Sequence, residues 1–168
     1  MKHLHVFSSL LLASTALLFG CHAPANTASS ETEIRQWMAD FKQAFEAKDT
    51  KAVMALYTPD VLAYDIVPPL QYVGSDAYGK DYDTYFSQYK GPLTLEYHDC
   101  HISTSGDLAV VTCLERNTGT LTNGTPVAIW LRDTTALRRV NGRWLDFHDH
   151  VSVPTDFDTG KSRTDLAP

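Results

Sequence analysis

Apolar residues first recur at helical spacing. Ile34, Trp37, Met38, Phe41 and Phe45 form one wide stripe, and Ser30-Glu31-Thr32-Glu33 ahead of them reads as a capping box that opens the helix. Lys48-Asp49-Thr50 breaks and recaps the chain, so residues 50–57 are expected to form a second short helix carrying Val53, Met54 and Tyr57. Pro59-Asp60 stops it. Residues 61–67 read as a strand, ended by Pro68-Pro69, where a central strand cannot continue. Ser75 can cap a third helix, on which Tyr78, Tyr82, Tyr85, Phe86 and Tyr89 face the core and which Gly91-Pro92 ends.

After Pro92 the period changes to two. Runs at 93–104, 108–120, 126–140 and 143–154 are joined at Gly106-Asp107, Asn123-Gly124 and Asn141-Gly142, which predicts a four-strand antiparallel meander. Helix, helix, strand, helix, meander is an α+β pattern. A long curved meander wrapped around packed helices makes a cone with one open end.

The last strand holds most of the candidate chemistry. Asp146, His148, His150 and Ser152 alternate on one face, with Leu145, Phe147, Val151 and Val153 on the other. A one-residue change of register decides which face meets the core. Trp144 on the titratable face favours that face as the inward one; the alternative places it at solvent or in a dimer interface. A two-residue Asn141-Gly142 turn sets Asp133 opposite His150. Asp65 stands near the end of the apolar strand, where burial raises a carboxyl's pKa and suits it to act as a base. Tyr57 and Tyr72 flank that strand as pocket candidates. Trp130 and Arg132 share a face of the third meander strand, where Arg132 can bind a substrate carboxylate or reach Asp149 diagonally. His148 and His150 can ligate zinc only with a third partner such as Asp133 or His101, so no metal is expected. The sequence holds no phosphate-binding Gly loop, dinucleotide fingerprint or nucleophile elbow, and no cofactor is expected.

The N-terminus changes where this chemistry takes place. Lys2 precedes a short apolar run at 6–18 that is too brief to span a membrane. The run ends Leu18-Phe19-Gly20-Cys21, which resembles a bacterial lipobox. Residues 1–20 are therefore expected to be a lipoprotein signal peptide, with Cys21 lipidated, 21–30 a tether, 31–155 one domain and 156–168 a tail. This implies a cell-envelope protein, anchored in the membrane through Cys21 and facing the periplasm, or otherwise secreted. Cys100 and Cys113 face each other if the hairpin centres on Gly106-Asp107, and a cross-strand disulfide suits an oxidising compartment. The net charge of −6 argues against nucleic acid, and the 43% apolar content against disorder.

The order of elements resembles the nuclear-transport-factor-two-like cone, and within it the SnoaL-like and ketosteroid-isomerase-like proteins. Phe45-Glu46-Ala47-Lys48-Asp49, Leu56-Tyr57-Thr58-Pro59-Asp60-Val61 and Tyr64-Asp65-Ile66-Val67-Pro68-Pro69 carry the resemblance. So do Trp130-Leu131-Arg132 and Gly142-Arg143-Trp144 with the His-x-His-x-Ser ending. The resemblance implies a pocket for a small organic molecule and dimerisation through a sheet face. It also implies cofactor-independent isomerase or lyase chemistry, with Asp65 as base, Asp133 as the second acid, and His148 and His150 as proton-transfer partners. Phe41 stands where the isomerases hold an oxyanion-binding tyrosine. A second implication is carbonic-anhydrase-like hydration, because His148-Asp149-His150-Val151-Ser152 keeps three positions of the iota-class His-His-His-Ser-Ser motif. A third is a binding module without catalysis.

Overall fold

The computed structural model describes residues 27–168; the expected signal peptide and Cys21 lie outside the described residues. Helix α1 (Thr27–Glu46) begins earlier than the capping box predicts, so residues 27–30 are helix rather than tether. Ser30 is buried within it and accepts a hydrogen bond from Arg139 Nη2 at 3.2 Å. Glu33 does not cap the helix. It accepts from Arg139 Nη1 at 2.5 Å and Trp144 Nε1 at 3.0 Å, which fastens the helix to the sheet.

Helix α2 (Thr50–Met54) stops before Tyr57, and strand β1 (Tyr57–Tyr64) starts there. The chain turns from helix to strand because Leu56 accepts from the Asp146 N–H at 2.9 Å and begins a parallel ladder. Strand β2 (Tyr72–Val73) and helix α3 (Ser75–Ser87) follow, the helix capped by Gly74 rather than Ser75. Strand β3 (Tyr89–Ser105) runs through Gly91-Pro92, which was expected to end the helix. Proline is tolerated there because β3 is the sheet edge and its register slips between Lys90 and Thr94. The meander continues with β4 (Leu108–Leu121), β5 (Pro126–Val140) and β6 (Arg143–Ser152). The expected tail instead forms a small hairpin, β7 (Thr155–Asp156) with β8 (Lys161–Ser162).

The strand order β2-β1-β6-β5-β4-β3 makes one six-stranded sheet, antiparallel except where β1 runs beside β6. The helices pack on its inner face. Ile34, Val53, Val61, Leu95 and Leu137 are fully buried between the layers, each contributing roughly 1.5–3 kcal/mol by removal from water. Gly119 sits on β4 where a Cβ would lie 2.8 Å from the Tyr89 ring. Gly119→Ala should therefore lower the unfolding free energy by about 1–3 kcal/mol in denaturant titration.

Two bulges set which side chains look inward. Asp99, at φ 47°, is the extra residue of β3, leaving Cys100 across from Cys113, and the two sulfurs are joined. The second bulge is in β6. Ala136 pairs with His148 and Leu137 with Asp146, so Phe147 has no partner. The Asp146 carboxylate holds the bulge by accepting from the His148 N–H at 2.9 Å. Beyond it, Asp133 faces Val151 and Thr134 faces His150, one residue away from the register a regular strand would give.

Candidate active site

Between the helices and the inner sheet face lies a cavity of about 350 Å³. Its apolar walls come from α1 (Trp37, Phe41, Phe45), α3 (Tyr82, Tyr85) and β5 (Leu131). Five carboxyl groups also line it: Asp65, Asp81, Glu115, Asp133 and Asp149. Among the described residues, no lysine, arginine or histidine does. Nor is there a cluster of His, Cys, Asp and Glu able to hold a metal ion among them.

Glu115, Asp133 and Asp149 come from β4, β5 and β6 and run diagonally across three neighbouring strands. Glu115 pairs with Leu131, two residues from Asp133, and Asp133 pairs with Val151, two residues from Asp149. All three are buried. Burial pushes the Glu115 carboxyl up to about 8. It raises Asp133 still more clearly, with the negative charges of Glu115 and Asp149 adding to it. Burial and its neighbours' charges thus favour the acid form of Asp133, whose Oδ2 accepts from Thr135 Oγ1 at 2.9 Å.

Asp149 is the hub. Its Oδ2 accepts from Tyr57 Oη at 3.0 Å and lies 3.1 Å from Tyr78 Oη. Tyr57 Oη in turn lies 3.1 Å from Tyr82 Oη. Burial raises the Asp149 carboxyl, and these hydrogen bonds hold that rise back. Asp65, just past β1, is half-buried, and desolvation raises its carboxyl too. Its Oδ2 lies 3.0 Å from Tyr78 Oη. One phenolic proton serves only one carboxylate at a time, so Tyr78 couples the protonation of Asp65 to that of Asp149.

The β6 bulge reverses the expected facing of the last strand. Asp149 and Val151 line the cavity, and His148, His150 and Ser152 do not. His148 Nδ1 bonds the Leu62 carbonyl oxygen at 2.8 Å, and its ring stands edge-on to Tyr64. His150 is exposed and Ser152 pairs with Arg132 on the outer face. The proton-transfer role expected of the histidines thus has no access to the cavity, and neither does the His/Ser set of the carbonic-anhydrase reading. Trp130 lies against His98 at 4.8 Å, and Arg132 is exposed; both are outside the cavity because Asp133 and Leu131 take the inward positions. Tyr57 is in the cavity wall. Tyr72 is not; its hydroxyl lies 2.7 Å from Asp81 Oδ1 and 2.9 Å from the Pro68 carbonyl oxygen.

The sequence reading missed Asp149, Glu115 and Asn117 as cavity groups; it placed Tyr78 and Tyr82 facing the core but missed the part their hydroxyls play there. Glu115 and Asn117 were legible as the polar continuation of the period-two series that starts at Val111 and Cys113. Asp149 was not, since a regular strand turns it outward. Phe41 lines the cavity without a donor, and the phenols come instead from β1 and α3, through Tyr57 and Tyr78.

Comparison with solved structures gives the same fold. An NTF2-like protein from Pseudomonas putida KT2440 is 30% identical with a TM-score of 0.77, over 84% of this chain and 98% of that one. A ketosteroid isomerase-like protein from Erwinia carotovora atroseptica SCRI1043 is 24% identical with a TM-score of 0.63, over 72% and 93%. A protein of the NTF2-like family from Streptomyces avermitilis, whose name proposes a dehydratase, is 20% identical with a TM-score of 0.66, over 74% and 96%. No curated protein matches. The model of the SnoaL-like domain matches residues 34–156, nearly the whole of the cone, and the chain belongs to that family.

Proposed function

We propose that the cavity binds a small organic molecule and carries out cofactor-independent acid–base chemistry of the isomerase or lyase type. Asp65 is the base. Asp133, held neutral, is the hydrogen-bond donor to the oxygen on which charge develops, and Tyr78 passes the change of charge between Asp65 and Asp149. The observation that carries this is the split between carboxyls in one aromatic cavity. Asp133 is driven to its acid form by burial and its neighbours, while Asp65 is only partly buried and bonded by a phenol. Environments that push like groups apart assign one as acid and another as base. The names of the dehydratase and isomerase-like neighbours agree with this class of reaction.

The test is deuterium exchange from solvent into the carbon acids of a panel of cyclic ketones and enones, followed by NMR. Exchange above background that Asp65→Asn abolishes is the expected result. Binding without exchange by the wild type would leave a binding module, and exchange untouched by Asp65→Asn would remove the base.

We also propose that the protein is anchored in the bacterial envelope through Cys21, as its lipobox-like run implies, and works as a homodimer, as the family resemblance implies. Palmitate labelling of the wild type but not of Cys21→Ala would support the anchor, and equal labelling would refute it. A light-scattering mass of one protomer would refute the dimer.

A further inference from the structure

The cavity continues well past the acid–base groups. Asn117 lies four residues along β4 from Cys113, which pairs with Asp133, so about 13 Å of strand separates the two levels. At the Asn117 level, two buried polar side chains that face the cavity carry an atom without a hydrogen-bond partner. Asn117 is 5% exposed, and its Oδ1 has no hydrogen-bond partner. The Tyr85 hydroxyl is buried and also unpartnered. Glu115, two residues from Asn117 on the same face, lines the cavity with no cation beside it. Buried polar groups are almost always matched, so an orphan amide oxygen, an orphan hydroxyl and a buried carboxyl with no cation beside it, all facing one space, call for a partner from outside. Aromatic faces complete the enclosure. Tyr97 pairs with Glu115 across β3 and β4, and the Phe45 ring packs 5.9 Å from Tyr85.

We propose that this end is a subsite for a protonated amine, so that the ligand is a small apolar molecule with an ammonium group between Glu115 and Asn117. The assignment rests on the reading of the cavity as a ligand site and places the reacting carbon near Asp65, away from the ammonium. An ammonium group supplies the missing N–H donors, neutralises the Glu115 carboxylate and sits against aromatic faces that attract cations. A carboxylate or phosphate head group finds only repulsion there, since no cationic side chain lines the cavity among the described residues. A neutral alcohol can satisfy the orphan groups but gains no attraction from Glu115 as that carboxyl ionises.

The amine also changes the protonation of its site. Glu115 keeps its proton to about pH 8 while no cation is present, and an ammonium drives that proton off. The titratable groups that interact with it are Tyr97 on β3, Asp133 on β5 and Asp149 on β6; Tyr82 and Tyr85 on α3 line the same cavity, and Glu46 on α1, which acts on Tyr97, is paired with Lys42. The tyrosines stay neutral throughout this range, since burial raises them further.

Isothermal titration calorimetry of the full chain tests this with phenethylamine, 3-phenylpropylamine and 4-phenylbutylamine, each beside its alcohol and its carboxylate counterpart. At least one ammonium should bind about tenfold or more tightly than its alcohol. That preference should grow from about pH 6 to about pH 8.5, where alkyl amines remain protonated. Glu115→Gln, checked for folding by thermal melt, should reduce the preference to about threefold or less. If the variant does not fold, the pH dependence in the wild type decides. No ammonium outbinding its alcohol, or a preference that neither pH nor Glu115→Gln moves, overturns the subsite. Alcohols or ketones binding while ammonium ions do not would leave the acid–base reading standing alone. Ammonium preference together with Asp65-independent exchange would keep the subsite and remove that reading.

Discussion

Unfolding free energy is expected to fall as pH rises from about 4.5 to about 8, by on the order of 5 kcal/mol from Glu115 alone. In the unfolded chain this glutamate loses its proton near the ordinary value of 4.5, but in the folded protein it keeps the proton to about 8. Between those limits the folded state binds one more proton. Each unit of pH therefore costs it roughly 1.4 kcal/mol. Asp133, Asp146 and Asp149, all raised by burial, act in the same direction. Some surface carboxylates act oppositely. Asp60 is held low by its bond to Arg138 and Glu33 by its bond to Arg139, so their contribution is lost as pH falls below the ordinary carboxylate range. Solvent screening makes these exposed pairs the smaller effect. Denaturant titrations at pH 5 and pH 8 should show the fall in the wild type and a smaller fall, left by the three aspartates, in Glu115→Gln. Stability that rises over this interval would mean the diagonal carboxyls are ionised in the fold.

The second large effect is on the chemistry. Asp65→Asn removes the base while keeping the shape and the Tyr78 contact, and the catalysed exchange rate should drop by about 10²- to 10⁴-fold. Tyr78→Phe should act differently. Burial raises the Asp65 carboxyl, and the Tyr78 hydroxyl is what most opposes that rise. The rate of a base-catalysed step climbs with pH as the base ionises, so losing the phenol should shift that climb to higher pH. A rate lowered equally at all pH values would instead mark Tyr78 as packing alone. Packing is a real part of its role, since its ring meets Tyr57 at 5.6 Å and Tyr82 at 5.0 Å.

Much of this fold is legible in the sequence because local chemistry decides it. The Ile34–Trp37–Phe41–Phe45 stripe can only be one face of a helix. Asn141-Gly142 and Gly106-Asp107 adopt positive φ at Asn141, Gly142 and Gly106, the backbone that tight hairpin turns need. Turn chemistry also places Cys100 across from Cys113, where the structure joins them. Asp65 and Asp133 reach the cavity from a strand end and a strand face that follow from period and position.

What the sequence leaves open turns on long-range contacts. Tyr57 begins a strand instead of ending a helix because Leu56 meets Asp146 from the far end of the chain. Pro92 lies within a strand because that strand is an edge. Above all, the single unpaired residue Phe147 flips the parity of β6, sending His148, His150 and Ser152 outward and Asp149 inward. Strand alternation is a local rule, and it holds on each side of the bulge. Where the extra residue falls depends on the Asp146 side chain capping the His148 N–H and on which partner strand each segment meets. Local pattern therefore determined the elements and the kind of groups the cavity holds, and only tertiary pairing decided which of them face it.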